Sequence, residues 1–459
     1  VPGITSSEAA GLQVYTILWV GYSMPESKLE LPELDVRSLP GPETISRREL
    51  ENGVTVLARE NFASPSVVIQ GFLPVGSLQE HPEQSGLAYM TSLALMRGTT
   101  KRTFEELFES IESIGSRLSV RASGHTTSFH GKSLAEDLPV LLDVLLDVLS
   151  NPTFPNREVE RLKSQQLTAL AIRAQDTGAR AQLAFDEIVY KDHPYQYPVD
   201  GYTETIQELK PADMRQFHAD TFGSEGIKLS IVGGVKASEA IDAVEASLGT
   251  WTKRAKKARP ELPPVKKLDR NTKREVRLEG KQQSDIVIGC EGPSRFDEDY
   301  LAAALGNNIL GRFGLLGRIG EAVRESAGLA YSAYSVLSGG PGPGPWQVLA
   351  GVNPKNEQQA IELIFEELKK FVAMKVSEEE LLENQMHYIG RLPLQLESNE
   401  GVGSALVHME RYGLGLDYYQ RYPELIGGIT RDQILEVARR FIDPERMAIA
   451  IAGPEELQL

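Results

Sequence analysis

A chain of 459 residues is long enough for two or more domains and a large buried core, and 41% hydrophobic with 24% charged residues is ordinary for a soluble globular protein. The formal net charge of −16 argues against nucleic acid as the main partner, since phosphate binding needs clustered Lys and Arg. One cysteine, Cys290, excludes both an intrachain disulfide and a Cys-rich zinc site; inside the apolar run Ile286–Cys290 it reads as a buried strand residue.

Taken in order, the chain opens on an arm, residues 1–42, rich in Pro, Gly, Ser and Glu after one apolar run. That run, Val14–Tyr22, is too short to span a membrane and has no basic flank before it, so it does not read as a signal peptide. No run of 18 apolar residues follows, and no membrane span is expected. The first residue is Val1 rather than Met, which leaves room for a leader removed by processing; a bacterial cytoplasm or periplasm is the expected compartment.

Residues 43–253 read as a first half. Strand-like runs at Val54–Ala58, Ser66–Leu73 and Arg117–Phe129 surround a short helix within Ser85–Thr100 that ends at Gly98, placed for a left-handed cap. Amphipathic helices follow at Phe104–Ile114, Leu134–Leu149, Asn156–Ala174 and Pro211–Thr221, then a strand at Lys228–Val232. Residues 254–272, basic and with three prolines, read as an extended, solvated linker. Residues 273–459 repeat the plan, with strands at Glu275–Leu278, Ser284–Cys290, Ala330–Leu337 and Trp346–Val352. Helices are expected at Tyr300–Leu310, Leu316–Glu325, Gln358–Val372 and Ser377–Arg391. A helix, short gap, strand and Gly run from Leu209 to Gly234 and again from Ile429 to Pro454, the mark of internal duplication. Mixed elements with hairpin-length turns predict an α+β fold of two homologous halves, each an α/β sandwich with a mainly antiparallel sheet.

Within the Ser85–Thr100 stretch, Tyr89, Ser92 and Leu93 stand at i, i+3 and i+4 and share one helix face. Together with Gly86 and Gly98-Thr99 they form a frame that resembles the inverted zinc motif H-x-x-E-H of the pitrilysin/insulinase family of zinc metallopeptidases. Leu50–Leu57 looks like that family's opening strand pair and Gly71–Leu78 its "G-S" strand, and the resemblance covers roughly Glu43 to Pro454. It implies two related halves closing as a clam-like half-shell around a chamber. It also places Tyr89 and Leu93 where the family has its two His ligands and Ser92 where it has the general base. The helix that carries the family's third ligand, a Glu, corresponds to Arg161–Ala174, which holds no carboxylate. Zinc wants three or four N, S or O ligands, and no metal is expected in this chain. The seven histidines offer no i, i+4 pair on a helix. His125 and His130 are read on one strand, where a spacing of five points them to opposite faces.

The second half holds Leu316–Tyr331, similar to the family's R-x-x-x-G-L-x-Y segment. The resemblance gives Arg324 and Tyr331 a role: hydrogen-bond donors that reach across the chamber to the substrate backbone. In bacterial relatives the work is often divided, one chain carrying zinc and the other a degenerate motif with this pair. The chain is therefore expected to be the non-catalytic member of a heterodimer with a homologous H-x-x-E-H zinc-bearing subunit, acting on peptides or unfolded polypeptides, and inactive alone. A structural subunit like a respiratory core protein, or a homodimeric peptide-binding chamber, are the alternatives. Ser123–Gly131 is expected to present an edge to which a peptide strand can add.

Overall fold

The computed structural model describes residues 31–257, 260–312, 314 and 317–455. The first sheet is built from β1 (Ser46–Glu49), β2 (Thr55–Glu60), β3 (Ser66–Leu73), β4 (Arg117–Ala122), β5 (Thr127–Leu134) and β6 (Lys228–Gly233), in the order β1-β2-β6-β3-β5-β4. The second comes from β7 (Thr272–Leu278), β8 (Ser284–Glu291), β9 (Ala330–Leu337), β10 (Pro345–Val352) and β11 (Ala448–Pro454), in the order β7-β11-β8-β10-β9. Each sheet has one parallel pair, β2 with β6 and β7 with β11, and is otherwise antiparallel. Leaving β1 aside, the strand order and directions of the two sheets coincide. The helix–strand echo in the sequence is this repeat: Pro211–Thr221 leads into β6, and Arg431–Phe441 into β11. The fold is thus the expected α+β arrangement of two related halves.

Strand periodicity divides each sheet between two cores. Val67, Ile69, Leu229 and Ile231 pack under Leu87–Ala94, Leu138–Ser150 and Ala237–Ala246. Ile286, Ile288, Ile449 and Ile451 pack under Tyr300–Gly311, Glu357–Ala373 and Arg431–Phe441. The opposite faces are covered crosswise. Helix Thr177–Val189, from the first half, lays Ala181, Ala184, Phe185 and Ile188 on Val287, Ala448, Ala450 and Ala452 of the second sheet. Helix Asn399–Tyr412, from the second half, lays Val402, Leu406 and Met409 on Leu57 and Val232 of the first. Small residues let these helices sit close: Ser230 Oγ donates to the Gly403 carbonyl at 3.0 Å, and a Cβ at Gly403 would meet that oxygen at 3.3 Å.

Several local expectations change. Arg117–Phe129 is not one strand but a hairpin, β4 and β5, turning at Ser123–Thr126. His125 lies in the turn, paired with the Tyr195 hydroxyl, and His130 lies on β5. Because β5 is paired on both sides, the exposed edge is β4, not the strand within Ser123–Gly131. The central helix ends at Ala94, followed by a 3₁₀ turn, and Gly98 takes φ +137° and ψ 144° instead of the left-handed helical cap. The expected helix Leu316–Glu325 is one α-turn, Gly317–Gly320, running into a π-turn, Glu321–Ser326; Leu316 lies outside the described residues. Of the arm, residues 1–30 lie outside them too; further on, Leu34 packs on the second core and Leu39 is buried. Residues 258–259 of the linker are likewise not described, and Val265 and Leu268 pack beside the Thr177–Val189 helix. Among the described residues no helix is long and apolar enough to cross a membrane.

The crossed helices couple the halves. Leu406→Ala should destabilise the protein by about 2–5 kcal/mol, the cost of a buried Leu-sized cavity. In hydrogen exchange the first loss of protection should appear in β3 and β6, in the other half of the sequence. Loss confined to β8 and β10 would contradict the packing.

Candidate functional site

Helix Leu87–Ala94 begins at Gly86, whose φ of +97° needs glycine, and where a Cβ would lie 2.7 Å from Ile206 Cδ1. Eight residues is a short helix, and it is anchored by side-chain acceptors. Glu80 accepts from Gly86 N at 3.0 Å and Ala88 N at 2.7 Å, satisfying N–H groups that the first turn cannot. Burial pushes the Glu80 carboxyl up to about 8, against the pull of those donors.

The structure brings Tyr89 and Ser92 to the end of β4 and uses them as joints. Ser92, fully buried, donates to the Tyr89 carbonyl at 2.7 Å and accepts from Ala122 N at 2.9 Å. Arg121 Nη2 donates to the Tyr89 hydroxyl at 3.1 Å, with its guanidinium 5.4 Å from the centre of the Tyr89 ring. Leu93 packs against the first core. On Asn156–Gln175, the helix beside it, Leu162 and Leu170 are buried, and Gln166 donates to the Asp200 carbonyl at 2.9 Å. Among the described residues no group of three or more His, Cys, Asp or Glu side chains could hold a metal ion. This region can bind by hydrogen bonding and charge.

Arg324 and Tyr331 lie at the other end of the molecule's repeat, on the π-turn and on edge strand β9. Gly328, at φ +65°, reverses the chain between them, with Gly328 N bonded to Arg324 O and Leu329 N to Val323 O, each at 3.0 Å. Among the described residues Arg324 makes one ion pair, with its neighbour Glu325 at 3.3 Å. Tyr331 is 87% exposed. Its position is a bulge: Ser332 faces Gly351 and Ala330 faces Val352, which leaves Tyr331 without a cross-strand partner. Bulges re-aim side chains, so simple alternation along the sequence does not give the direction of this tyrosine. No hydrogen bond joins Arg324 to Tyr331 among the described residues.

One site escaped the sequence reading. A cleft of 470 Å³ lies between β3–β5–β4 and the Asn399–Tyr412 helix, with Arg121 and His130 on the sheet side and His408 and Arg411 on the helix side. The polar alternation Ser119, Arg121 and Ser128, His130 is its only trace in sequence; the helix wall comes from a distant segment.

The comparisons with known proteins agree across both halves. The sequence model of the insulinase family (peptidase family M16) matches residues 55–201, and that of the peptidase M16 inactive domain matches residues 208–387. An uncharacterized zinc protease of Bacillus subtilis is 25% identical over 413 residues, covering 89% of this chain and 98% of the relative. Another, from Streptomyces coelicolor, is 24% identical over 427 residues and covers 90% of both chains. Among solved structures, a peptidase M16 inactive domain from Pseudomonas fluorescens superposes with a TM-score of 0.83 at 22% identity, over 90% of this chain and 99% of that one. A protease from Helicobacter pylori gives 0.81 at 18% identity, over 93% and 100%. Both share the fold.

Glu80 makes the anchoring of this helix pH-dependent. Its carboxyl is raised from the usual 4.5 to about 8 in the folded chain, so the stability it contributes is complete below 4.5 and is lost as pH rises towards 8. The urea midpoint should fall across that window, and Glu80→Gln should flatten the fall. An unchanged slope in the variant would mean that the carboxyl is ionised throughout, held by the two N–H donors.

Proposed function

Because the chain belongs to the insulinase, or pitrilysin, family of M16 peptidases, we propose that it is the non-catalytic subunit of a two-chain peptidase. In this reading it lends Arg324 and Tyr331 to a zinc site carried by a homologous H-x-x-E-H subunit. The observation that carries the reading is the contrast between the halves. At the positions where the resemblance puts the family's two His ligands and its general base, Tyr89, Leu93 and Ser92 are committed to internal contacts. On the second half, Tyr331 stands 87% exposed at a bulge, and Arg324, seven residues earlier, pairs among the described residues with its neighbour Glu325.

The chemistry follows from the donors. A guanidinium offers five N–H groups and a phenol one O–H, none of which needs to lose a proton to work. Aimed at a peptide carbonyl, they strengthen as negative charge builds on its oxygen, and the gain is largest where water is excluded. Zinc in the partner would supply the polarised water and the Lewis acid. Tyr331 and Arg324 would hold the scissile carbonyl against it, and an unfolded polypeptide supplies the extended backbone such donors read.

The test is peptidase activity on unfolded polypeptide, with zinc analysis, for this chain alone and mixed with an H-x-x-E-H relative from the same genome. Activity and zinc are expected only in the mixture. Arg324→Ala should lower kcat by about 10²–10³, the usual cost of losing one donor to the developing oxyanion, and Tyr331→Phe should lower it in the same direction. A mixture that cuts equally well with both variants would sink the shared-site reading, and a silent mixture would favour a purely structural subunit.

A further inference from the structure

We infer that the cleft between the first sheet and the Asn399–Tyr412 helix is a carboxylate-binding site, which takes an acidic side chain or a free C-terminus of an extended polypeptide. The inference deepens the peptide-binding reading above by naming a class of group the chamber wall selects, and it rests on side chains that the Arg324/Tyr331 argument does not use.

Charge placement carries it. In a chain of net charge −16, the cleft is lined by two arginines, two histidines, three serines and Gln70, and by no Asp or Glu. The two guanidiniums come from opposite walls, Arg121 from β4 and Arg411 from the helix. Among the described residues each is held by an aromatic face and not by a carboxylate: Arg121 over Tyr89 at 5.4 Å, Arg411 over Phe72 at 5.1 Å and over Tyr412 at 5.6 Å. A ring face positions a guanidinium while leaving its positive charge uncompensated and N–H groups open at the edge.

The cations just outside the cleft behave differently. Lys132, also on β5, pairs with Glu400 at 2.7 Å. Lys228 and Arg47 share Glu410, at 3.3 and 2.9 Å. The acidic residues of the crossing helix thus neutralise its flanks and leave the cleft positive. Burial, then Arg295 and Arg411, push the pKa of His408 down to about 4, so the ring stays neutral at the floor of the site. Ser119 and Ser128 add hydroxyls to the sheet wall, while the Ser404 hydroxyl donates to Gln70 Oε1 at 2.6 Å. Two guanidiniums with flanking hydroxyls in a part-buried cleft match a carboxylate, which accepts charge-assisted hydrogen bonds through both oxygens.

The test needs only the isolated full chain. Three fluorescein-labelled twelve-residue unstructured peptides are compared by anisotropy: one with internal Glu residues and an amidated C-terminus, one with Gln in their place and the same amide, and the Gln peptide with a free C-terminal carboxylate. At least one carboxylate-bearing peptide should bind about tenfold to a hundredfold tighter than the neutral amide, the worth of one or two charge-assisted bonds. Which one does so identifies the source of the group. Arg121→Gln and Arg411→Gln should each erase most of that preference, read as the ratio of carboxylate-peptide to neutral-peptide affinity; Arg411→Lys should keep part of it, and Lys132→Gln all of it. Arg121 is exposed on an edge strand, so its variant tests the site even where Arg411→Gln perturbs folding. Equal affinity for all three peptides, or a preference that survives both Gln variants, would overturn the inference. Failure of the two-subunit activity assay would leave this result untouched.

Discussion

The structure depends on the close seating of one helix from each half upon the sheet of the other. The contact works because the receiving strands carry small side chains there. Ala448, Ala450 and Ala452 leave room for Phe185 and Ile188, and Ser230 meets Gly403 backbone to side chain. A larger residue on those strands would hold the helices off and open both interfaces to water. Each fully buried aliphatic or aromatic side chain in them contributes about 1.5–3 kcal/mol. Separating the halves would strip the cover from one face of both sheets at once. The two repeats are therefore related in topology but joined in energetics, and neither sheet is complete without the other half of the chain.

That exchange also decides where binding surface can exist. The Asn399–Tyr412 helix covers only part of the first sheet. Val402, Leu406 and Met409 make its packed stripe, while Ser404, His408 and Arg411 follow the border where helix and sheet diverge. Beyond that border β4 and β5 show their polar face, and the cleft forms in the angle. A packing constraint and a recognition surface thus share one helix. The acidic residues beside it, Glu400 and Glu410, tie it to Lys132, Lys228 and Arg47 of the sheet, which fixes its register over the strands.

Much of this could be read from the chain before any coordinates. Duplication was visible because a helix, a gap and a Gly-ended strand recur, and strands β6 and β11 occupy equivalent places. The short apolar helix around Tyr89, Ser92 and Leu93 was visible through its frame of glycines, although Gly98 serves a positive-φ bend after a 3₁₀ turn instead of a helical cap. The β4–β5 hairpin was missed although its turn, Ser123–Thr126, carries a Ser-Gly pair: with no Pro and no Asn-Gly, that weaker signal was outweighed by the strand-like runs on either side. The exposed edge was misplaced for the same reason: which strand is outermost is a property of the whole sheet. The direction of Tyr331 was out of reach, since a bulge is set by cross-strand register. The cleft was out of reach too, because Arg121 and Arg411 meet only through the fold.

The most instructive residue is one that no motif marks. Arg121 donates to the Tyr89 hydroxyl and stacks on its ring, and it also lines the cleft. In the proposed reading, Tyr89 stands where the family has a zinc-binding imidazole. A cation lodged on that side chain repels a divalent metal, and the partners of Ser92 consume its hydroxyl as donor and as acceptor. Replacing Tyr89 and Leu93 with histidine would then leave the guanidinium, the buried Ser92 joint and the carboxylate-free stretch Arg161–Ala174 of the neighbouring helix all in place. In the reading proposed here the site has not simply lost a metal. On that reading a fixed positive charge stands beside the position a positive ion would hold, and the cleft that Arg121 also lines would draw the carboxylate oxygens of a polypeptide.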